Sequence, residues 1–325
     1  MQQSLYGPGG FFTGPGPGPA GHFRTSAHAS PAFADAVATL VGRADTALGH
    51  PDRLDLVDVG GGRGELVTAV LSALPDEVAA RVRPTVVELA PRPSELDARV
   101  GWLAVLPDDL VGVVVATEWL DNVPLDVVEV DDVGQVRYVL VDPDGQERLG
   151  PMVEPADAAW LARWWPVEET PPGTRAEVGA PRDAAWEQAV RAVHRGFALA
   201  VDYGHLSGAR PAFGTLTGFR AGRQVLPVPD RTRDLTAHVA FDSVAAAGAA
   251  AAGVPPRLSS QRDSLRALGV GGDRPPLALA HTDPQAYLRA LAEASVGAEL
   301  TDPAGLGGHY WLLQPVGLSV EALIR

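Results

Sequence analysis

The residues best suited to chemistry stand in one short run, Asp58-x-Gly60-x-Gly62-x-Gly64, between LDLVDV and ELVTAVLSAL. Glycine is required where the backbone takes φ > 0 or must approach a ligand closely. Three alternate positions without a Cβ, at a strand-to-helix turn, are where open α/β sheets bind ligands. A second carboxylate, Glu88, closes the run TVVE, 24 residues after Gly64. Asp58 and Glu88 together point to a nucleoside with free ribose hydroxyls, since carboxylate oxygens accept both hydroxyl protons. Such a ligand needs no phosphate. S-adenosylmethionine (SAM) fits, because its amino-acid end and sulfonium are cationic. The dinucleotide fingerprint is G-x-G-x-x-G, and here the third glycine comes one residue early, which disfavours a nicotinamide oxidoreductase.

A second set follows the run VGVVVATEWL. Glu118 and Asp121, three residues apart, have the right chemistry to hold a guanidinium bidentately or to take a proton from a nucleophile. The structural alternative is that Glu118 pairs with an Arg and Asp121 caps a turn. Asp202 and Tyr203 close FALAVDYG, where anchoring a loop competes with touching a substrate. His238 lies in an apolar run and reads equally as a structural histidine or a base. Trp160, Trp164 and Trp165 have helical spacing and read as core. His22 and His28 are six apart, the eight histidines are scattered, and the chain has no Cys. Disulfide scaffolds, thiolate metal sites and Cys nucleophiles are thereby excluded, and no metal is expected.

These residues need elements to hold them. The chain has 325 residues, 46% of them apolar and 20% charged, enough for two domains or one domain with a large insertion. LDLVDVG (54–60), PTVVELA (84–90), the weaker GWLAVLP (101–107), VGVVVATEWL (111–120) and FALAVDYG (197–204) are short apolar runs flanked by turn residues. They suit strands buried on both faces, and their alternation with helices predicts a mostly parallel sheet. HYWLLQP (309–315) is a closing strand. GTLTGF, DLTAHVAF and PRLSSQ are short extended pieces, and the Ala-rich stretch from Val244 to Val254 is a helix. Residues 125–196 break the rhythm with a hairpin turning at Asp144-Gly145, a Trp-rich helix and a helix from Asp183 to His194. Residues 1–21 are Gly/Pro punctuation in which no regular element is expected. Ser30 caps a helix that begins at Pro31. The expected units are a Gly/Pro-rich loop or lid (1–30), a first part of a ligand-binding domain (31–124), an insertion covering its active edge (125–196) and the remainder (197–325).

The ordered set of motifs resembles the MidA-type SAM-dependent methyltransferases, whose mitochondrial member methylates arginine in a respiratory complex I subunit. Gly21-His22-Phe23-Arg24-Thr25-Ser26 resembles the family's GDFxTS, VDVGGGRGEL its ELGPGRGTL, and TVVELAP its VExSP. Thr117 to Pro124 (TEWLDNVP) resembles NEFFDALP, and Asp202-Tyr203-Gly204 matches DYG. GTL at 214–216, DLTAHV at 234–239, and Gln261 with Leu265 to Gly269 follow in order. The resemblance implies a class I SAM-dependent methyltransferase fold, Rossmann-like, with about seven mostly parallel strands and an inserted helical and hairpin substrate subdomain. It implies a SAM site of Asp58, Gly60, Gly62, Gly64, Glu88, Thr25 and Ser26, and a catalytic set of Glu118, Asp121 and His22. Departures fall on the acceptor side. His22 stands for the Asp of GDF, Ala27-His28 for Pro-Glu, Thr117 for Asn, and Asn122 for a small residue.

The expected function is methyl transfer to a protein, arginine-type, or to another nitrogen or oxygen acceptor. Small-molecule methylation and a non-catalytic assembly factor with the same fold are the alternatives. The net charge of −14, from 40 acidic residues against 26 basic ones that are all Arg, repels phosphate backbones and argues against nucleic-acid partners. MQQSLYGPGGFF has neither a basic nor an apolar leader region. A cytoplasmic protein without membrane contact is expected, with a methyl acceptor as partner and room for a homodimer.

Overall fold

The computed structural model describes residues 1–14 and 31–324. In chain order, β1 (Leu54–Val59), β2 (Val82–Val87), β3 (Gly101–Leu103) and β4 (Leu110–Thr117) come first. An inserted set follows: β5 (Val127–Val130), β6 (Val136–Val141), β7 (Glu147–Met152) and β8 (Arg175–Glu177). After β9 (Val193–Asp202) come β10 (Gly204–His205), β11 (Thr217–Arg220), β12 (Arg223–Val225), β13 (Asp234–Thr236) and β14 (Val239–Ala240). The last two are β15 (Arg257–Ser260) and β16 (Tyr310–Val316).

The central sheet has seven strands in the order β15-β16-β9-β4-β1-β2-β3. Strands β3, β2, β1, β4 and β9 run parallel, with Asp55 beside Gly112 and Asp58 beside Val115. β16, the expected closing strand, runs antiparallel to both β9 and β15. This is the predicted architecture.

Strand periodicity sorts the core. Leu54, Leu56, Val113, Val115, Phe197 and Leu199 face one side, against Phe33, Val37 and Val41 of the helix Pro31–Ala47 and Val67 and Val70 of the helix Glu65–Ala73. Val57, Val59, Val114, Ala116, Ala198 and Ala200 face the other side, against Trp186, Ala189 and Val190 of Ala180–Arg191 and Val244 of Phe241–Ala252. Burying each such large side chain contributes about 1.5–3 kcal/mol. The strands are therefore fixed from both faces, and their carboxyl ends form a rigid edge.

The insertion carries its own antiparallel sheet, β7-β6-β5-β8. The β6–β7 turn is Asp142 to Gly145, where the Gly145 N–H donates to Asp142 O at 3.0 Å and Gly145 takes φ 85°. Trp160, Leu161 and Trp165 pack beneath this sheet on Val128, Val130 and Ala176, so the tryptophans are core as expected. The helix Ala180–Arg191 falls inside the expected insertion, 125–196, yet it packs on the central sheet.

Two expectations need correction. Residues 1–21 are not free of regular structure: Gln2–Tyr6 is a helix, and Leu5 and Phe11 are buried against Leu235. Gly/Pro content hides this, because two apolar side chains are enough to seat one turn on a preformed surface. The sequence reading also leaves out the helices Leu277–Thr282 and Pro284–Leu300. The second had a readable start, since Asp283 accepts from the Ala286 N–H at 2.9 Å with Pro284 at the first helical position. Ser30 lies outside the described residues.

Candidate active site

The carboxyl ends of β1, β2, β4 and β9 open into a cavity of about 630 Å³. One side of it is floored by the glycine turn. Gly60, Gly62 and Gly64 all take positive φ, 68°, 56° and 84°. Gly60 and Gly62 line the cavity, as does Gly61 between them, which the sequence reading passed over. A Cβ on Gly60 would stand 2.8 Å from Trp119 Cδ1. Gly64 lies behind the wall rather than on it. It is the left-handed N-cap of Glu65–Ala73, packed against Leu96.

Asp58 lies below Gly61, its carboxylate 2.6 Å from where a Cβ on that glycine would be. Both carboxylate oxygens are buried and take no hydrogen bond among the described residues. Burial, then the charges of Glu65 and Glu88, push its pKa up to about 8. Glu88 is half-buried at the end of β2 and is preset by its own turn, with Oε1 accepting from the Leu89 and Ala90 N–H groups at 2.7 and 3.1 Å. The apolar residues Ala104, Val105 and Leu106 continue this wall.

The other half gathers around the turn after β4. Glu118 sits on the cavity wall at φ 49°, a left-handed conformation uncommon for a residue with a Cβ. Its N–H is held by Val201 O at 2.8 Å. Asp121, three residues on, is buried. It turns into a buried cluster, where Oδ2 accepts from the Tyr203 hydroxyl and from Thr236 Oγ1. Its Oδ1 is buried and takes no hydrogen bond among the described residues. Asp202 anchors this turn, accepting from the Asp121 and Tyr203 N–H groups at 3.1 and 2.9 Å. Arg182 clamps it from below, donating to the carbonyls of Val123, Ala237, His238 and Asp121. Burial raises the pKa of both Asp121 and Asp202.

Of the remaining expected residues, His238 is exposed, its ring 5.1 Å from that of Tyr203, and its N–H donates to Thr215 Oγ1. His22, Thr25 and Ser26 lie outside the described residues. The sequence reading missed Tyr6, Phe12, Trp119, Phe219, Asp234, Thr236 and His309 as wall residues. Asp234 and Thr236 lie in the DLTAHV motif and were findable there, whereas nothing local marks Tyr6.

A family described as "Putative S-adenosyl-L-methionine-dependent methyltransferase" matches residues 37–258. The chain belongs to that family. Its cofactor is SAM, and it is an enzyme of the MidA type that its motifs resemble. It is similar to a "likely methyl transferase" from Burkholderia thailandensis solved with S-adenosyl-homocysteine (SAH) bound, at 26% identity and TM-score 0.79, covering 100% of this chain and 89% of that one. A native structure of an uncharacterized superfamily protein from the same organism gives 27% identity and TM-score 0.78, covering 100% and 88%. Comparison with curated proteins gives no match. No helix among the described residues is long and apolar enough to cross a membrane.

The buried carboxyls of this methyltransferase have a consequence for stability. Burial raises the pKa of Asp58 and Asp234 to about 8, so the native state holds protons that the unfolded chain has lost. Stability therefore falls as pH rises from about 4 towards 8, on the order of 1 kcal/mol per pH unit for each group. His205 and His309, lowered by burial to about 4, work in the opposite sense only up to their unfolded pKa near 6.5. The lowered N-terminal amine opposes with one group. Melts of the ligand-free protein should drop in midpoint from pH 6.5 to 8.0, and Asp58→Asn should flatten the slope. A midpoint that climbs over this window would contradict the burial argument.

Proposed function

We propose that this methyltransferase acts on a nitrogen acceptor, in the first place an arginine-type side chain of a protein. The observation that carries this reading is the lining of the cavity. Six acidic residues, Asp58, Glu65, Glu88, Glu118, Asp121 and Asp234, line it with no Arg among the described lining residues, and a cationic ligand favours the ionised form of those that burial holds protonated. Low-dielectric walls of one sign concentrate ligands of the other sign. His309, also on the wall, is kept neutral by burial.

SAM supplies a methyl group already activated on a positively charged sulfur. The chain's own residues bind and orient. Gly60, Gly61 and Gly62 would let the backbone approach the cofactor, Glu88 would take the ribose hydroxyls, and Asp58 would back the turn from beneath Gly61. Holding the two reactants in line lowers the barrier by roughly several kcal/mol. Glu118 and Asp121 are the catalytic residues of this reading. Glu118 orients the acceptor nitrogen, and Asp121 Oδ1 accepts the proton that nitrogen must lose. Thr25, Ser26 and His22 belong to the same proposal through the motif they share with the family.

Glu88→Ala should weaken SAM binding by roughly 1.5–3 kcal/mol, the contribution of a charge-assisted contact. Calorimetry on the two proteins measures it, and equal affinities would remove the ribose assignment. The acceptor is identified by transfer of labelled methyl from SAM into lysate, followed by mass spectrometry. Label in protein arginine supports the proposal. Label confined to small molecules replaces it with small-molecule methylation. SAM binding with no transfer leaves a non-catalytic assembly role.

A further inference from the structure

The acceptor half of the cavity contains a pair of residues that the expected catalytic set does not use. Asn122 stands where the resembling motif has a small residue. Its Nδ2 donates to Asp234 Oδ1 at 2.8 Å and to Leu235 O at 3.2 Å. Asn122 and Asp234 are buried, with 8% and 3% of their surface exposed, yet both line the cavity. Asp234 takes no second side-chain hydrogen bond among the described residues, so its Oδ2 is left to whatever enters. The neighbouring Asp121, 4% exposed, has Oδ1 equally without a partner. Tyr6 closes the same corner from the N-terminal helix, its hydroxyl donating to Asn122 O at 3.3 Å.

An asparagine here has a specific mechanical effect. A small side chain would leave Asp234 without this donor and free to rotate. The amide fixes one carboxylate oxygen and aims the other. Two carboxylates, each with one committed and one uncommitted oxygen, sit on adjacent elements, the turn after β4 and strand β13. Arg182, the buried cation beneath them, gives its hydrogen bonds to backbone carbonyls rather than to either carboxylate. No Arg among the described lining residues pairs with either of them from the cavity side. Tyr6, Trp119 and Phe219 line the cavity with aromatic surface, which also favours a cation.

We infer that Asp234, pinned by Asn122, selects the acceptor by binding a cationic nitrogen group opposite Asp121. Asp234 is a specificity residue in this scheme and Asn122 a positioning residue. The inference rests on the acceptor reading above, which assigned Glu118 and Asp121 but left the selecting wall unassigned.

The test uses the full chain saturated with SAH and titrated with N-acetyl-arginine amide. N-acetyl-lysine amide and neutral N-acetyl-glutamine amide serve as further arms. The arginine probe should bind and the glutamine probe should not. Asp234→Asn should weaken the arginine probe roughly ten- to hundred-fold while SAH affinity stays within two-fold, which also shows that the variant is folded. Asn122→Ala should weaken the probe roughly three- to ten-fold, again with SAH unchanged. Asn122→Gln, which keeps the amide but lengthens its reach, should not restore full affinity. Arginine-probe binding unchanged in Asp234→Asn, or equal to that of the glutamine probe, overturns this inference alone. A lysine probe that binds best keeps Asp234 as the selector and reassigns the cation to an ammonium. Failure of the unaltered protein to bind SAH overturns the inference together with the reading on which it rests.

Discussion

Gly60→Val is expected to abolish SAM binding while leaving the protein folded. The reason is geometric. A Cβ at this position stands 2.8 Å from Trp119 Cδ1, closer than non-bonded carbon atoms approach, and a tight 3.3 Å from Trp119 Cβ. Rotating the indole cannot clear the contact fully, because Trp119 Cβ itself lies close and its backbone follows Glu118, whose N–H is tied to Val201 O. Relief must come from shifting the glycine turn into the cavity or the Glu118 turn away from it, and each movement disturbs the cofactor floor. Gly60 also sits at φ 68°, where a residue with a Cβ costs roughly 1–3 kcal/mol, and β-branching makes this worse. That cost falls on one turn, whereas the β1 and β4 cores lie in interior layers on both faces of the sheet. Calorimetry should show SAM affinity down by more than about a hundred-fold, equivalent to roughly 3 kcal/mol, with a cooperative melt retained. Gly62→Ala is the control. It has similar strain, φ 56°, but its Cβ meets nothing nearer than Glu65 Oε2 at 3.8 Å. If both variants lose binding equally, backbone conformation rather than the Trp119 contact controls the site.

The contrast between these glycines shows what the sequence made legible. Their spacing and position after a buried apolar run mark a ligand turn, because only ligand approach or positive φ asks for three residues without a Cβ. Spacing does not say which of them touches the ligand and which, like Gly64, caps a helix. The central sheet was legible for the same kind of reason. Val57 and Leu56 must both be buried, on opposite faces, and that leaves an uninterrupted apolar run. β3 was weak because Gly101 to Leu103 are only partly covered. The helix Pro284–Leu300 was missed because it buries little, chiefly Tyr287, Ala294, Gly297 and Leu300, so its apolar stripe is thin. Asp121 was legible as a carboxylate at the active edge. Its partners were not, since Tyr203 and Thr236 are 82 and 115 residues away and meet it only through strand order.

Those partners set up the second large effect, expected for Asp121→Asn. Oδ2 accepts from both the Tyr203 hydroxyl and Thr236 Oγ1. An asparagine can place its carbonyl oxygen there, keep both donors satisfied and leave the cluster packed as before. Its amide nitrogen then occupies the place of Oδ1, the buried oxygen without a partner. A group that accepted a proton becomes one that can only donate. Methyl transfer should fall by about 10²- to 10⁴-fold, the usual contribution of a positioned base, with SAH affinity within a few-fold. Glu118→Gln should also depress turnover, as it removes charge from the same wall without adding bulk. Stability should move the other way. Asp121 is held above its ordinary pKa by burial, so its ionised form is costly to the native state. A neutral isostere removes that cost, and the variant should melt higher than the parent at pH 8 and much like it at acidic pH. A purely structural aspartate would show the reverse, with stability lost on substitution and turnover lost only in proportion to unfolding. Measuring both quantities on one preparation separates the two roles. An Asp121→Asn protein that melts lower at pH 8 and keeps its specific activity would remove Asp121 from the catalytic set.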